Sequence, residues 1–581
     1  MRPRVRLVLE LRRALRAAAP PLLAALPALY WAVEATRRAS YAPLGRDQGI
    51  FQYVAWAWLR GERGYAEVRD VNGPLTPMIH MIFLGLGGRD EHRFRVLDLA
   101  VTGASFALVG ACLPGICRPY AAGGWRTARE VSERAGWAIA AWVVLTGQYL
   151  QYIFWDTAQR ESFFDWFLAG SVGLTMMAQR RMAAASAARG HATSLLLATG
   201  GALSAITWLG KPTYAAFTLV QAAALLADDD SRMPRPRRLA VFAGGALLGL
   251  AIPAAVLWAY ADPAAFARVY FVDVPAMYRF IWPRTPWEIL TLESQRGTLL
   301  LSAVTSTVML GLVLRRWMPR RALSLALLPL VAVASVVAQA KGFPYHFHPV
   351  TLGLHLQWLA IVVFAWEKVR TRVPPTSGWR LVPALAGGAL ALRVALALQH
   401  ASYMTAPWGV DAIRTEAYRE SEAHLAIFRI TDFRPWSVRQ VARYLRDRTG
   451  PDERVQIYGM DPYILFLAER LGATPYIYDY DLNADHALAG SHLDPPAGLH
   501  PTPREAGVIR DLRDAHERDL VARMRARPPA AVVFLDGSPL LTIEDAARDF
   551  ELHSPEAWAW IRANYTETAS FQGYRVWLRS P

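Results

Sequence analysis

Residues 1–400 of this 581-residue chain carry one apolar run after another. Each is about 20 residues long, the length that crosses the hydrocarbon core of a bilayer. A backbone at that depth must satisfy its own hydrogen bonds, so such runs are read as helices. After a first run ending near Glu34, the candidate spans lie at about 94–113, 135–153, 163–179, 193–210, 213–228, 239–260, 297–314, 322–340, 347–366 and 380–399. That makes about eleven spans. Residues 401–581 hold no such run and are rich in Asp, Glu and Arg. The expected architecture is a polytopic α-helical membrane domain over 1–400, followed by an α/β domain over 401–581.

Charge fixes the orientation. Six arginines (Arg2, Arg4, Arg6, Arg12, Arg13, Arg16) precede the first run, which places the N-terminus in the cytoplasm. The run could belong to a cleaved signal peptide, but the many later spans favour a retained anchor. Residues 74–87 are apolar yet only about 14 long, too short for an ordinary span. They are read as a helix lying in the outer interface or re-entering, within an outer loop over 34–93.

With that count every second connection is basic, as cytoplasmic loops are. Arg118, Arg126, Arg129 and Arg134 form one group, and Arg180, Arg181 and Arg189 the next. Then come Arg232, Arg235, Arg237 and Arg238, then Arg315, Arg316, Arg320 and Arg321, then Lys368, Arg370 and Arg372. The short alternate connections hold one Lys or Arg each (Arg160, Lys211, Lys341). Were 74–87 a true span, the basic loops would face outward. The parity puts the C-terminal domain outside the cytoplasm as well; the expected location is a bacterial cytoplasmic (inner) membrane.

The net charge of +15 therefore reports membrane topology. The C-terminal part has no basic stripe interleaved with aromatics, which argues against a nucleic-acid partner. Cys112 and Cys117, five residues apart at the end of one run, have neither metal nor redox spacing and are read as small buried thiols. In the C-terminal domain, Ser437–Arg448 and 463–471 have helical spacing and 454–458 is a short strand. Residues 529–536 form a buried strand, and 574–578 reads as an edge strand. Neither GxGxxG nor GxxxxGK[ST] occurs there, which argues against a nucleotide site.

Ionisable groups at membrane depth are a functional hypothesis by default, and four outer connections carry them. The first runs from Asp47 to Asp70. The others hold Asp156, Gln159, Arg160 and Glu161; Lys211-Pro212-Thr213-Tyr214; and Gln339, Lys341, Tyr345, His346 and His348. Glycosyl transfer from a lipid phosphate needs such a set. A carboxylate takes the proton of an attacking hydroxyl, and cationic or hydrogen-bonding groups stabilise the departing phosphate.

The segment Asp47-Gln48-Gly49-x-Phe51-x-Tyr53, with Gly61, Tyr65, Asp70 and Asn72-Gly73-Pro74 after it, resembles the first outer loop of bacterial GT-C glycosyltransferases. It is similar in particular to the protein-mannosyltransferase and aminoarabinose-transferase superfamily, of glycosyltransferase family 39 type. The resemblance extends over about residues 1–400, through Gln159-x-Glu161, Lys211-Pro212 and Tyr345-His346. It implies Asp47 as catalytic base, the Asp156/Glu161 loop as the second acidic motif, a polyprenyl-phosphate-linked sugar donor and inversion at the anomeric carbon. Gln48 stands where many members carry Glu.

Each residue also has a plainer reading. Asp47 can cap the helix that starts near Gly49, and Asp70 can open the Asn72-Gly73 turn. Asp156 and Glu161 compete for the second acidic role, Glu161 being favoured, and one of them can simply pair with Arg160. Lys211 is either an interfacial snorkelling lysine or a contact to the donor phosphate. Lys341, His346 and His348 divide the same way, Tyr345 is a candidate donor-phosphate or substrate contact, and Arg279 and Arg284 bind phosphate or acceptor, or anchor at the interface. His346 and His348 share a face only in a strand, which disfavours zinc; a divalent metal is left open and is not indicated. The competing function is a secondary transporter or lipid flippase, whose ionisable groups sit near the midplane of broken helices; a non-catalytic scaffold is the third. The sugar and the acceptor are not named by the sequence.

Overall fold

The computed structural model describes residues 3–117, 128–183, 190–374, 377–400, 412–430, 432–490 and 499–580. Arg2, Arg118, Arg126 and Arg189 of the charge argument lie outside them. The chain forms two compact units. One comprises Met1–Ser40, Arg95–Pro253 and Leu290–Thr405; the other comprises Tyr41–Phe94, Ala254–Ile289 and Ala406–Pro581.

The first unit is helical. Among the described residues seven helices are long and apolar enough to cross a membrane: Glu91–Ile116, His191–Leu209, Arg235–Tyr260, Glu293–Leu314, Arg320–Gln339, Pro344–Arg372 and Val382–Gln399. Ala128–Leu150 and Arg160–Met182 are further helices of similar length. Large apolar side chains point outward along these helices (Leu195 68%, Leu247 69%, Leu300 63% and Leu385 68% exposed). Such surface is tolerable where the solvent is lipid.

Small and polar residues fill the helix contacts instead, as expected where packing must do without a hydrophobic drive. A Cβ on Gly201, Gly245 or Gly249 would land on the backbone of a facing helix, at Phe242, Ala198 and Ala202 respectively. Pro329 interrupts the Leu323–Gln339 helix and leaves the Leu325 carbonyl without its usual donor. The Gln357 amide supplies one, at 3.1 Å from Leu325 O and 2.9 Å from Ala326 O. Cys112 is a free buried thiol, as expected.

The second unit is mixed α/β. Its sheet has the order β1-β2-β4-β3, with β1 Val455–Tyr458, β2 Ala531–Leu535, β3 Tyr565–Phe571 and β4 Tyr574–Arg579. The first pair is parallel and the other two antiparallel. β1 and β2 are buried throughout, hence their continuous apolar runs. The expected edge strand is not an edge: β4 pairs with β2 on one side and β3 on the other. β3 escaped notice because its sequence, YTETASF, is largely exposed and polar, and a register shift between Glu567 and Ala569 breaks its alternation. Such irregular polar strands are a common way to blunt a sheet edge.

The helix expected over 463–471 stops at Ala468, capped by Glu469 in a left-handed conformation (φ 61°). The chain then turns back so that Val455 N donates to Leu471 O at 3.0 Å. Residues 75–87 form a 13-residue helix. It packs against the Arg46–Leu59 helix, with His80 Nδ1 2.8 Å from Gln52 Oε1.

Candidate functional site

Each unit holds its own share of the expected residues. In the helical unit the centre is Glu161, fully buried in the first turn of the Arg160–Met182 helix. Gln159 starts that helix: its N–H donates to Ser162 Oγ (2.8 Å), whose hydroxyl donates back to Gln159 O (2.8 Å). The partial positive charge of a helix N-terminus suits a carboxylate there. Lys211 adopts the extended backbone that a following proline imposes (φ −147°, ψ 115°), and its ammonium pairs with Glu161 Oε1. Arg160 Nη2 reaches the same oxygen at 3.1 Å and His346 Nε2 approaches it to 3.6 Å.

Two cations around one buried carboxylate leave a positive excess, which is what an anionic ligand requires. Burial and the neighbouring Arg160 pull the Lys211 ammonium down to about 7, against the pull of Glu161. Burial alone brings Lys341 to about 7. Lys341 sits between Ala340 (φ 53°) and Gly342 (φ 65°), two left-handed residues that turn the chain from one helix into the next. Tyr345 stands edge-on to the His346 ring, with centroids 4.6 Å apart.

His346 and His348 do not share a target. Residues Pro344–Phe347 form a 3-10 turn and His348 opens the next helix. His348 is fully buried; its Nδ1 lies 3.3 Å from Asp165 Oδ2 and its Nε2 lies 3.0 Å from the Asp156 carbonyl. Asp165 was not singled out from the sequence, although it is an acid inside a candidate span and four residues after Glu161, hence on the same helix face. Asp98 was missed the same way: it is buried inside the span near 94–113 and accepts the Tyr149 hydroxyl at 2.9 Å. Arg95 was missed too, and donates to Phe154 O (3.0 Å) and Thr157 Oγ1 (3.2 Å). The loop it holds contains Ile153 (φ 52°) and Ala158 (φ 54°). A β-branched residue at positive φ is a strained backbone.

In the α/β unit Asp47 lies half-buried in the first turn of the Arg46–Leu59 helix. Arg46 anchors that turn, donating to Asp461 at 2.6 and 3.2 Å and pairing with Asp432. Gly49 is required by contact: a Cβ there would meet the Tyr463 ring at 2.6 Å. Asp70 is fully buried and accepts from Asn72 N (3.1 Å), Asn72 Nδ2 (2.8 Å) and the Tyr478 hydroxyl (3.0 Å). Burial, with the Asp70 and Asp47 carboxylates beside it, holds the Tyr478 phenol well above its ordinary range. Arg69 bridges Asp481 (2.8 Å) and Asp273 (3.0 Å). Arg279 pairs with Glu505 at 2.6 Å. Among the described residues no group of three or more His, Cys, Asp or Glu is arranged to hold a metal ion.

No protein-family model and no curated protein matches the chain. Among solved structures it is similar to ArnT from Cupriavidus metallidurans bound to undecaprenyl phosphate. The identity is 12%, over 96% of this chain and 98% of that one, with a TM-score of 0.47. It is also similar to the Archaeoglobus fulgidus oligosaccharyltransferase in the apo form. There the identity is 11%, over 97% of this chain and 74% of that one, and the TM-score is 0.47.

Proposed function

We propose that this protein is an integral-membrane glycosyltransferase of the GT-C type, moving a sugar from a polyprenyl-phosphate donor to an acceptor on the outer face of a bacterial inner membrane. The observation that carries the reading is the Glu161 cluster. Lys211 and Arg160 are gathered on one carboxylate, with His346 nearby, at the ends of apolar helices. A lipid-linked phosphate brings an anion to that depth while its chain stays in hydrocarbon.

In this reading the acceptor oxygen attacks the anomeric carbon from the face opposite the phosphate, so the configuration inverts. Asp47 takes the hydroxyl proton as that bond forms. The bond between the anomeric carbon and the phosphate oxygen breaks, and its electron pair leaves with polyprenyl phosphate. Lys211, Arg160, Lys341 and His346 stabilise the growing negative charge. Tyr345 and Arg279 contact substrate, and Asp70 keeps the Asp47 loop in shape. The second reading, a proton-coupled transporter, draws on Asp98 and Asp165, two acids inside the helical unit.

The test is transfer by purified protein supplied with polyprenyl-phosphate sugars. Asp47→Asn is expected to lose about 10²–10⁴-fold in rate while still binding donor. Full transfer by Asp47→Asn removes the base assignment. Absence of turnover with every lipid-linked sugar, alongside uptake into liposomes, selects the transporter.

A further inference from the structure

The Asp165–His348 pair is buried, titratable and unused by the proposed chemistry, yet its geometry is specific. A carbonyl oxygen can only accept, so the contact with Asp156 O at 3.0 Å makes His348 Nε2 the donor. In a neutral imidazole the other nitrogen, Nδ1, then carries a lone pair. That lone pair lies 3.3 Å from Asp165 Oδ2, with both side chains 0% exposed. Two lone pairs facing each other at that distance in a buried site repel. A proton between Nδ1 and Oδ2, carried by the imidazole or by the carboxyl in addition to the one on Nε2, removes that repulsion.

The imidazole is fixed from its flank as well. Tyr152 stacks on it at 3.8 Å and 26°, and the Tyr152 hydroxyl is bonded to Thr351. What the ring grips in turn is the main chain of the loop over 153–159, at Asp156. That loop holds two residues at positive φ, Ile153 and Ala158, so it keeps its shape only while its surroundings impose it. It leads directly into Arg160 and Glu161.

We propose that Asp165 and His348 form a proton-sharing positioning pair that holds the strained 153–159 loop. Arg160 and Glu161 are thereby presented to the phosphate of the lipid donor. The inference rests on the proposed function for its ligand and on the loop geometry alone for its mechanics. His348, expected from the sequence as a substrate contact, acts through the Asp156 carbonyl instead.

The variants follow from the proton count. Asn at 165 can donate to His348 Nδ1 and keep the Nε2–H directed at Asp156, so Asp165→Asn is the conservative rescue. Asp165→Leu removes the partner, and His348→Gln keeps a donor for Asp156 without the proton shared with Asp165. Amide hydrogen exchange over 153–161 in detergent needs no ligand. Asp165→Leu and His348→Gln are expected to exchange at least about tenfold faster there, the helices elsewhere staying protected and Asp165→Asn matching wild type.

With polyprenyl-phosphate sugar, the same two variants raise the donor KM about tenfold and leave the acceptor KM unchanged. Unchanged exchange over 153–161 in both variants overturns the positioning role. So does a loss of protection spread evenly through the helical unit in both. If the loop loosens as expected but wild type binds no polyprenyl phosphate, the pair stands and the proposed function falls.

Discussion

Lys211 and Lys341 show how depth sets chemistry. Both are positive in open water at neutral pH, and burial brings both ammonium groups down to about 7. Their charge is present below that pH and fades above it. On the proposed function, binding of a polyprenyl phosphate, measured by quenching or calorimetry, should therefore weaken by about tenfold from about pH 6 to about pH 8.5, as charge-assisted contacts are lost. Lys341→Gln should bind weakly across the range and flatten the profile. A profile rising with pH would remove both lysines from the phosphate. Glu161 carries a different penalty. Replacing it by Leu leaves Lys211 buried without its counter-charge, a loss of about 3–5 kcal/mol of stability.

At the scale of elements, the helical unit is assembled by close backbone approach and by amides that repair broken ladders. Gly245 and Gly249, four residues apart on the Arg235–Tyr260 helix, face Ala198 and Ala202 on the His191–Ile206 helix. Gly245→Leu must push the helices apart. A cost of at least about 1–3 kcal/mol is expected, seen as a lower melting temperature in detergent. Gly244→Leu, one residue away where a Cβ meets nothing within 4 Å, should leave the melting temperature unchanged. In the α/β unit Gly49 plays the same part under the Tyr463 ring. The glycine of the Asp47-Gln48-Gly49 segment thus has a packing reason independent of chemistry, and the helix bearing Asp47 is seated by it.

For the whole molecule, the topological proposal is that the C-terminal part lies outside the cytoplasm. A periplasm-active reporter fused after His400 should be active, and one fused within 232–238 inactive; the reverse pattern would turn the helical unit over and take the proposed site with it. Much of this organisation was legible in residue order. Apolar runs fix where helices lie because the bilayer permits little else, and the described helices fall on the expected runs from 94–113 to 380–399. β1 and β2 were legible for a related reason, since a strand buried on both faces must be apolar throughout. β3 was not, because an irregular polar edge strand has no period to read. The acids and lysines of the connections between helices were visible as types out of place. Which of them meet was not: Glu161 takes Lys211 from 50 residues away, and His348 turns to Asp165 and the Asp156 carbonyl. Periodicity and hydropathy are properties of neighbours in sequence, so the chain alone determined where the helices and the buried strands lie. Partnership among buried charges depends on side chains that distant helices bring within a few ångströms, and only the tertiary structure decided it.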